Sequence, residues 1–372
     1  MRPIPCIIKS VAVALCVLAS GMTYAQSRTA RFAHIPLPEE PDCMAPDGDK
    51  PLLASKTKIW TIDPAKWTLT QAVDASNRSW DNYIQGVAAR GSDAFFYISG
   101  EGIYRLRPAG APELVRPREE KWLKNYSEAY KAMNIDPTGS FLLLYGQNEN
   151  AAAFDIAAGM KPVAAFNDHV MDAYWLADCL WAGCIDKVVI NSRKGRSKNN
   201  EDFIFTGDND QHGMIKFYVS DKTVLPNMGE QDVVINERGE ITRLLYNKGN
   251  GDVLLCVSDF SGSTGSSAVY KIEGMRATPV ARFNGFYGDF AAYGDKIIAR
   301  TGRGFVEVSY GDNLTDAEAK PIQTDILRPK LWAGDKPEPY KITGSHLMDF
   351  DSHGNLWIVL GRDLFVRFKQ PL

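Results

Sequence analysis

Residues 354–368 read GNLWIVLGRDLFVRF. A Gly354-Asn355 turn opens onto a run of leucine, tryptophan, isoleucine and valine, a short polar break follows, and Asp363 leads into a second apolar and aromatic run. Two such runs bounded by turn residues are the signature of paired β-strands. The layout recurs upstream. Ser92-Asp93 precedes AFFYIS and GIYRLR, Gly139-Ser140 precedes FLLLYG and AAAFDIAAG, and Glu201-Asp202 precedes FIFTG and MIKFYVS. Gly251-Asp252 precedes VLLCVS and SAVYKIEG, and Gly294-Asp295 precedes KIIART and GFVEVS. The six starts are spaced by 47, 62, 50, 43 and 60 residues.

A spacing of ~40 to 50 residues is that of a propeller blade, a four-stranded sheet, and the longer intervals would carry loop insertions. A β-sandwich uses similar strands, but a chain of 372 residues would need two or three of them, and no linker-like segment interrupts the pattern. The expected fold is therefore all-β, a β-propeller of six or seven blades. The last repeat has room for only two or three strands, so an N-terminal strand should complete it. Lys58-Ile59-Trp60-Thr61-Ile62 and Trp67-Thr68-Leu69-Thr70 are the candidates.

The stretch Asp351-Ser352-His353-Gly354-Asn355-Leu356-Trp357-Ile358 resembles the D-x-x-G-N-L-W-I blade motif of bacterial propellers of the regulator-propeller and NHL-like kind. Pro137-Thr138-Gly139-Ser140-Phe141 and Asn250-Gly251-Asp252-Val253 match it in part. The resemblance implies a propeller fold. It implies no activity, since this fold hosts enzymes and scaffolds alike.

Composition narrows the compartment. The N-terminus carries Arg2 and Lys9, an apolar run from Val11 to Ala19, and Thr23-Tyr24-Ala25 before Gln26, the pattern of a secretory signal peptide cleaved after Ala25. The run is too short to span a bilayer, which takes ~20 residues. Cleavage would leave 347 residues and remove two of the 42 basic residues and none of the 45 acidic ones, giving a net charge of −5. With no basic excess there is no electrostatic basis for nucleic-acid binding. The expected organisation is a signal peptide over 1–25, an N-terminal extension over 26–56 and one propeller over 57–372, periplasmic or secreted, with no further transmembrane segment.

Four cysteines remain after cleavage, an even number in an oxidising compartment. Cys179 to Cys184 across a tight hairpin, and Cys43 to Cys256, are the expected disulfides; a zinc site lacks a second close pair and a nearby histidine. Arg118 to Met133 reads as a helical insertion between blades, with Trp122, Tyr126, Tyr130 and Met133 on one face.

Candidate sites are sparse. Asp208-Asn209-Asp210-Gln211-His212-Gly213 resembles the start of a calcium loop, with Asp208 and Asp210 as ligands, but Val219 stands where the closing glutamate belongs, and a polar turn accounts for the same residues. His346, Asp349 and Asp351 form the densest set of acid-base groups, against which ordinary turn chemistry competes for Asp351. Trp175 and Trp181, with Arg193, Lys194 and Arg196, lie on an inserted stretch that could project a recognition surface. Two function classes follow. The first is a non-catalytic binding protein for a protein or envelope ligand, an inhibitor or immunity protein being one form, with no cofactor. The alternative is a metal-dependent enzyme of the lactonase or lyase kind holding a divalent cation. The oligomeric state is not legible in the sequence.

Overall fold

The computed structural model describes residues 32–78, 82–107, 110–118, 132–146, 150–167, 170–176, 179–184, 188–192, 217–219, 240–259, 266–273, 276–284, 286–301, 304–311, 313–314, 320–321 and 347–369. Every regular element among them is a strand, and the strands form seven sheets. Each sheet is a blade of a β-propeller, and the blades are numbered here in chain order.

Blade 1 runs Cys43–Ala45, Leu52–Ala54, Lys58–Asp63 and Thr68–Asp74. Blade 2 runs Ile84–Arg90, Asp93–Ile98, Gly102–Arg105 and Glu113–Pro117. Blade 3 runs Ala132–Ile135, Phe141–Gly146, Asn150–Asp155 and Lys161–Asn167. Blade 4 has Val170–Leu176, Cys179–Cys184 and Val188–Ser192, with Phe217–Val219 added in parallel. Blade 5 has Glu240–Tyr246, Val253–Asp259, Ser266–Glu273 and Arg276–Asn284, with a short fifth strand, Asn313–Leu314. Blade 6 has Phe286–Tyr293, Lys296–Thr301, Gly304–Ser309 and Lys320–Pro321. Blade 7 joins the two ends of the chain: Met348–Phe350, Leu356–Leu360 and Asp363–Arg367 are completed by Phe32–Pro36.

The long apolar runs make sense once the blades are stacked. Along Asp93–Ile98, Phe95 and Tyr97 pack toward blade 3 while Phe96 and Ile98 pack toward blade 1. Side chains alternate between faces with period two, so a strand buried on both faces reads as continuously hydrophobic. The same split sends Trp357 and Val359 toward blade 1 and Leu356, Ile358 and Leu360 toward blade 6. The core is thus a set of slabs between neighbouring blades. Contacts between blades run chiefly through their first strands, which line the centre of the ring.

The structure corrects several sequence expectations. The closing strand is Phe32–Pro36, paired antiparallel with Asp363–Arg367, whereas Lys58–Ile62 and Trp67–Thr70 lie in the third and fourth strands of blade 1. Only Ala33 and Ile35 of the closing strand are buried, so its apolar signal is two residues deep. Phe32–Pro36, Cys43–Ala45 and Leu52–Ala54, which fall within the segment expected as an N-terminal extension, are strands of blades 7 and 1. Met133 sits in a strand of blade 3 and packs against Leu142 and Leu144; the rest of the expected helical face, Trp122, Tyr126 and Tyr130, lies outside the described residues.

Neither expected disulfide fits. Cys179 and Cys184 stand at opposite ends of one six-residue strand. At about 3.3 Å rise per residue they are far beyond the ~7 Å Cα limit of a disulfide. Cys43 in blade 1 and Cys256 in blade 5 are both free and buried. Burial pushes the Cys43 thiol up to about 12 and the Cys256 thiol up to about 11, which keeps both protonated and unreactive.

Candidate functional site at the mouth of the central channel

Successive turns of an antiparallel blade alternate between the two faces of the ring. The turns from first to second strand therefore gather around one mouth of the channel. In blade 7 that turn is built on Asp351, which is only 4% exposed. Its carboxylate accepts from the backbone N–H groups of His353 at 3.0 Å and Asn355 at 2.8 Å, and from the indole Nε1 of Trp357 at 3.0 Å. Asp136 does the same work in blade 3, accepting from the N–H groups of Ser140 and Phe141, each at 2.6 Å. Both turns close on a glycine in the left-handed region, Gly354 at φ 83° and Gly139 at φ 78°, where a side chain would be strained. The D-x-x-G motif is thus a turn device in two blades, and Asp351 is committed to it.

In blade 5 Asn247 takes the aspartate's place and reaches to the neighbouring turn: its Oδ1 accepts from Gly294 N–H at 2.9 Å and its Nδ2 donates to Gly294 O at 2.7 Å. The next residue, Lys248, crosses the mouth. Its Nζ lies 2.7 Å from Asp47 Oδ2 in blade 1 and 2.8 Å from Asp349 Oδ2 in blade 7, and donates to the Phe350 carbonyl at 2.5 Å. Asp47 also accepts from Ser352 N–H at 2.6 Å through its other oxygen. Burial alone would lower the Lys248 ammonium, but Asp349 and Asp47 outweigh it and hold the pKa above the usual lysine range. Burial lifts Asp349 above the ordinary carboxylate range, against the pull of Lys248.

A second ion pair lies deeper, between blades 4 and 5. Arg243 Nε is 3.4 Å from Asp172 Oδ2, which also accepts from Leu244 N–H at 3.0 Å. Burial, with Asp172 nearby, holds the Tyr174 hydroxyl well above its ordinary range, so it stays protonated.

Beside the Lys248 bridge the same face opens into a cavity of about 1040 Å³ shared by blades 7, 1, 2 and 3. Its walls include Asp47 and Asp49 of blade 1, Arg90 and Ser92 of blade 2, Thr138 of blade 3 and His353 of blade 7. Trp67, at an unusual φ of 54°, packs beneath it against Trp357 and Phe368.

The sequence candidates disperse. Asp349 binds Lys248 and Asp351 anchors its turn, so the two do not converge; His346 lies outside the described residues. Trp175 and Trp181 are core residues, 4% and 6% exposed, with Trp175 against Phe141 and the Trp181 indole donating to Leu176 O, and they offer no recognition surface. Arg193, Lys194, Arg196, Asp208 and Asp210 lie outside the described residues. Among the described residues no group of three His, Cys, Asp or Glu is placed to hold a metal ion. Sequence reasoning missed Asp47, Lys248 and Arg90. The one available signal was a lysine in the Asn247-Lys248-Gly249-Asn250-Gly251 turn, at a blade position otherwise built from small and polar residues.

No family model matches the chain and no curated protein matches it. Among solved structures it is similar to U3-55K, with 12% identity, a TM-score of 0.54, and 92% of this chain and 98% of that one covered. It is similar to the WD40 repeats of RRP9, with 12% identity, a TM-score of 0.53 and 91% and 97% covered. A third similar structure is YCF48 bound to a D1 peptide, with 10% identity, a TM-score of 0.52 and 92% and 98% covered. At such identities the likeness defines a class, the β-propellers, and carries no activity across.

Proposed function

We propose that the chain is an exported binding protein that holds a polypeptide partner on the face where the first-to-second-strand turns meet. The cavity of about 1040 Å³ carries this reading: four blades contribute to it, and turn backbone as well as side chains forms its walls. Concave sites with a few placed polar groups are where propellers and other scaffolds take ligands. Export rests on the basic, apolar and small-residue segments of residues 1–25, and the regulator-propeller resemblance at Asp351–Ile358 belongs to the same reading. A protein or envelope ligand is the partner class, inhibition of an incoming protein being one form of it.

The test begins with the mature chain, whose N-terminus should be Gln26. Tagged protein recovered from the native envelope should bring down one partner at fixed stoichiometry, and Ser352→Trp, which fills the cavity from an exposed turn position, should abolish recovery. A partner retained by Ser352→Trp, or no partner together with turnover of a small molecule, would overturn the proposal.

A further inference from the structure

We infer that the cavity on the turn face takes an acidic polypeptide segment, with Arg90 as the group that meets its carboxylates; this rests on the reading of that face as the binding face. Three of the four aspartates of the wall are already engaged. Asp47 is held by Lys248 and Ser352 N–H, Asp93 by the Arg105 guanidinium, and Asp351 by its own turn. Of these groups none is available to a cationic ligand without breaking an existing bond. The Lys369 ammonium is also engaged, 4.7 Å from the centre of the Tyr293 ring.

Arg90 is different. It ends the first strand of blade 2, half-buried, and among the described residues no carboxylate pairs with it. Its stem passes the Gly139 turn, with Cδ 3.9 Å from where a β-carbon on that glycine would lie. A partly desolvated guanidinium presents several donors in a fixed plane, matched to a carboxylate. Asp49, the fourth wall aspartate, lies close by, its N–H donating to Gly91 O at 2.7 Å, and its carboxylate limits how many acidic groups fit.

The walls suit a chain more than a compact metabolite. The volume lies at the upper end of the roughly 300–1,000 Å³ of small-molecule sites. Gly91 and Gly139 line it without side chains of their own, which lets a peptide approach closely, although the Gly91 N–H and C=O are already paired with Asp47 O and Asp49 N–H. Gly91, at φ 54°, has no atom within 4 Å of where its β-carbon would be, so that wall is open. The protein's net charge of −3 repels acidic ligands as a whole, so attraction has to come from the local group.

The test uses the full mature chain and three fluorescein-labelled octapeptides, (Gly-Glu)4, (Gly-Gln)4 and (Gly-Lys)4, followed by fluorescence anisotropy. The Glu peptide should bind more tightly than the other two and weaken as salt is raised. Arg90→Gln should weaken it about tenfold or more, the usual size of a lost charge-assisted hydrogen bond. Ser92→Glu, at an exposed cavity position, should weaken it too, and unfolding curves of both variants guard against misfolding. Substituting Arg193, Lys194 and Arg196 together should leave binding unchanged. Equal affinity for the Glu and Gln peptides, or undiminished binding by Arg90→Gln, would overturn the inference. A preference for the Gln or Lys peptide would overturn the charge assignment while leaving the binding face standing; no peptide bound, with no partner recovered from the envelope, would sink both.

Discussion

The ring is closed twice, by unlike means. At the rim, Phe32–Pro36 pairs along its whole length with Asp363–Arg367 and sinks Ala33 and Ile35, followed by Leu37, into the slab formed with Trp60, Trp357 and Val366. At the hub, one ammonium from blade 5 reaches carboxylates of blades 1 and 7. The rim closure is mainly backbone pairing and apolar surface, with a His34–Asp363 side-chain pair, Nε2 to Oδ1 2.6 Å, across it. The hub closure is a set of charges whose worth depends on protonation and on the turns that carry them. Asp47 and Ser352 belong both to the hub and to the wall of the cavity. Durable closure is thus separated from the part of the ring that a ligand would touch.

Removing the rim strand should have the largest effect. Deleting residues 26–37 strips three buried apolar side chains worth roughly 1.5–3 kcal/mol each for the larger ones, and exposes a sheet edge. That loss is comparable to a total stability of ~5–15 kcal/mol, so cooperative thermal unfolding should disappear. An unchanged melting curve would show that the hub alone closes the ring.

At the hub, Asp47→Ala leaves Lys248 with one carboxylate and Ser352 N–H without its acceptor. The expected cost in urea unfolding is about 2–4 kcal/mol, below the full price of a deeply buried pair because these side chains are 14–26% exposed. Lys248→Met should cost at least as much, about 3–5 kcal/mol, since it leaves the Asp47 and Asp349 carboxylates facing one another with no cation and the Phe350 carbonyl without its donor. A cost for Lys248→Met well below that of Asp47→Ala would mean that the stranded carboxylates are not what matters.

Acid should reach the hub through Asp349. Asp349 has a folded pKa raised by burial, so its ionised form costs stability at neutral pH. As pH falls from the raised value toward the ordinary carboxylate range, the folded state takes up the proton first and that cost is relieved. This group therefore adds stability on mild acidification, and Asp349→Asn should flatten the acid side of the stability profile. Lys248 contributes in the other direction only above the usual lysine range, where its raised pKa is finally exceeded. A wild-type profile identical to that of Asp349→Asn would contradict the assignment.

The smallest effect concerns a closure that does not exist. A Cys43–Cys256 disulfide would have tied blade 1 to blade 5, but both thiols are free. Reducing agent should leave the midpoint of thermal unfolding unchanged within about 1 °C, where loss of a disulfide would remove ~2–5 kcal/mol.

Most of the architecture was legible because its strands repeat: the starts at 92, 139, 251, 294 and 354 fall at the second strands of blades 2, 3, 5, 6 and 7. Blade 1 escaped because its first two strands have three residues each, too short to show a period. Blade 4 escaped because its cysteines suggested a hairpin where the chain runs straight through Cys179–Cys184. The start at 201 falls outside the described residues. The hub was not legible at all. Asp47, Lys248 and Asp349 lie about 100 residues or more apart along the chain, and ring closure alone brings them within hydrogen-bond reach. Aspartate near glycine reads as turn chemistry, which proved right for Asp351 and left the role of Asp349 unseen.

The turn face as the binding face can be tested directly by site-specific photo-crosslinking in the native envelope. A photoreactive residue at His353 sits on that face, and one at Arg362, in the next turn of the same blade, sits on the opposite face; both positions are exposed. The expected result is one discrete crosslinked species from His353 and none from Arg362. Crosslinks from Arg362 alone, or equal labelling from both, would contradict the assignment.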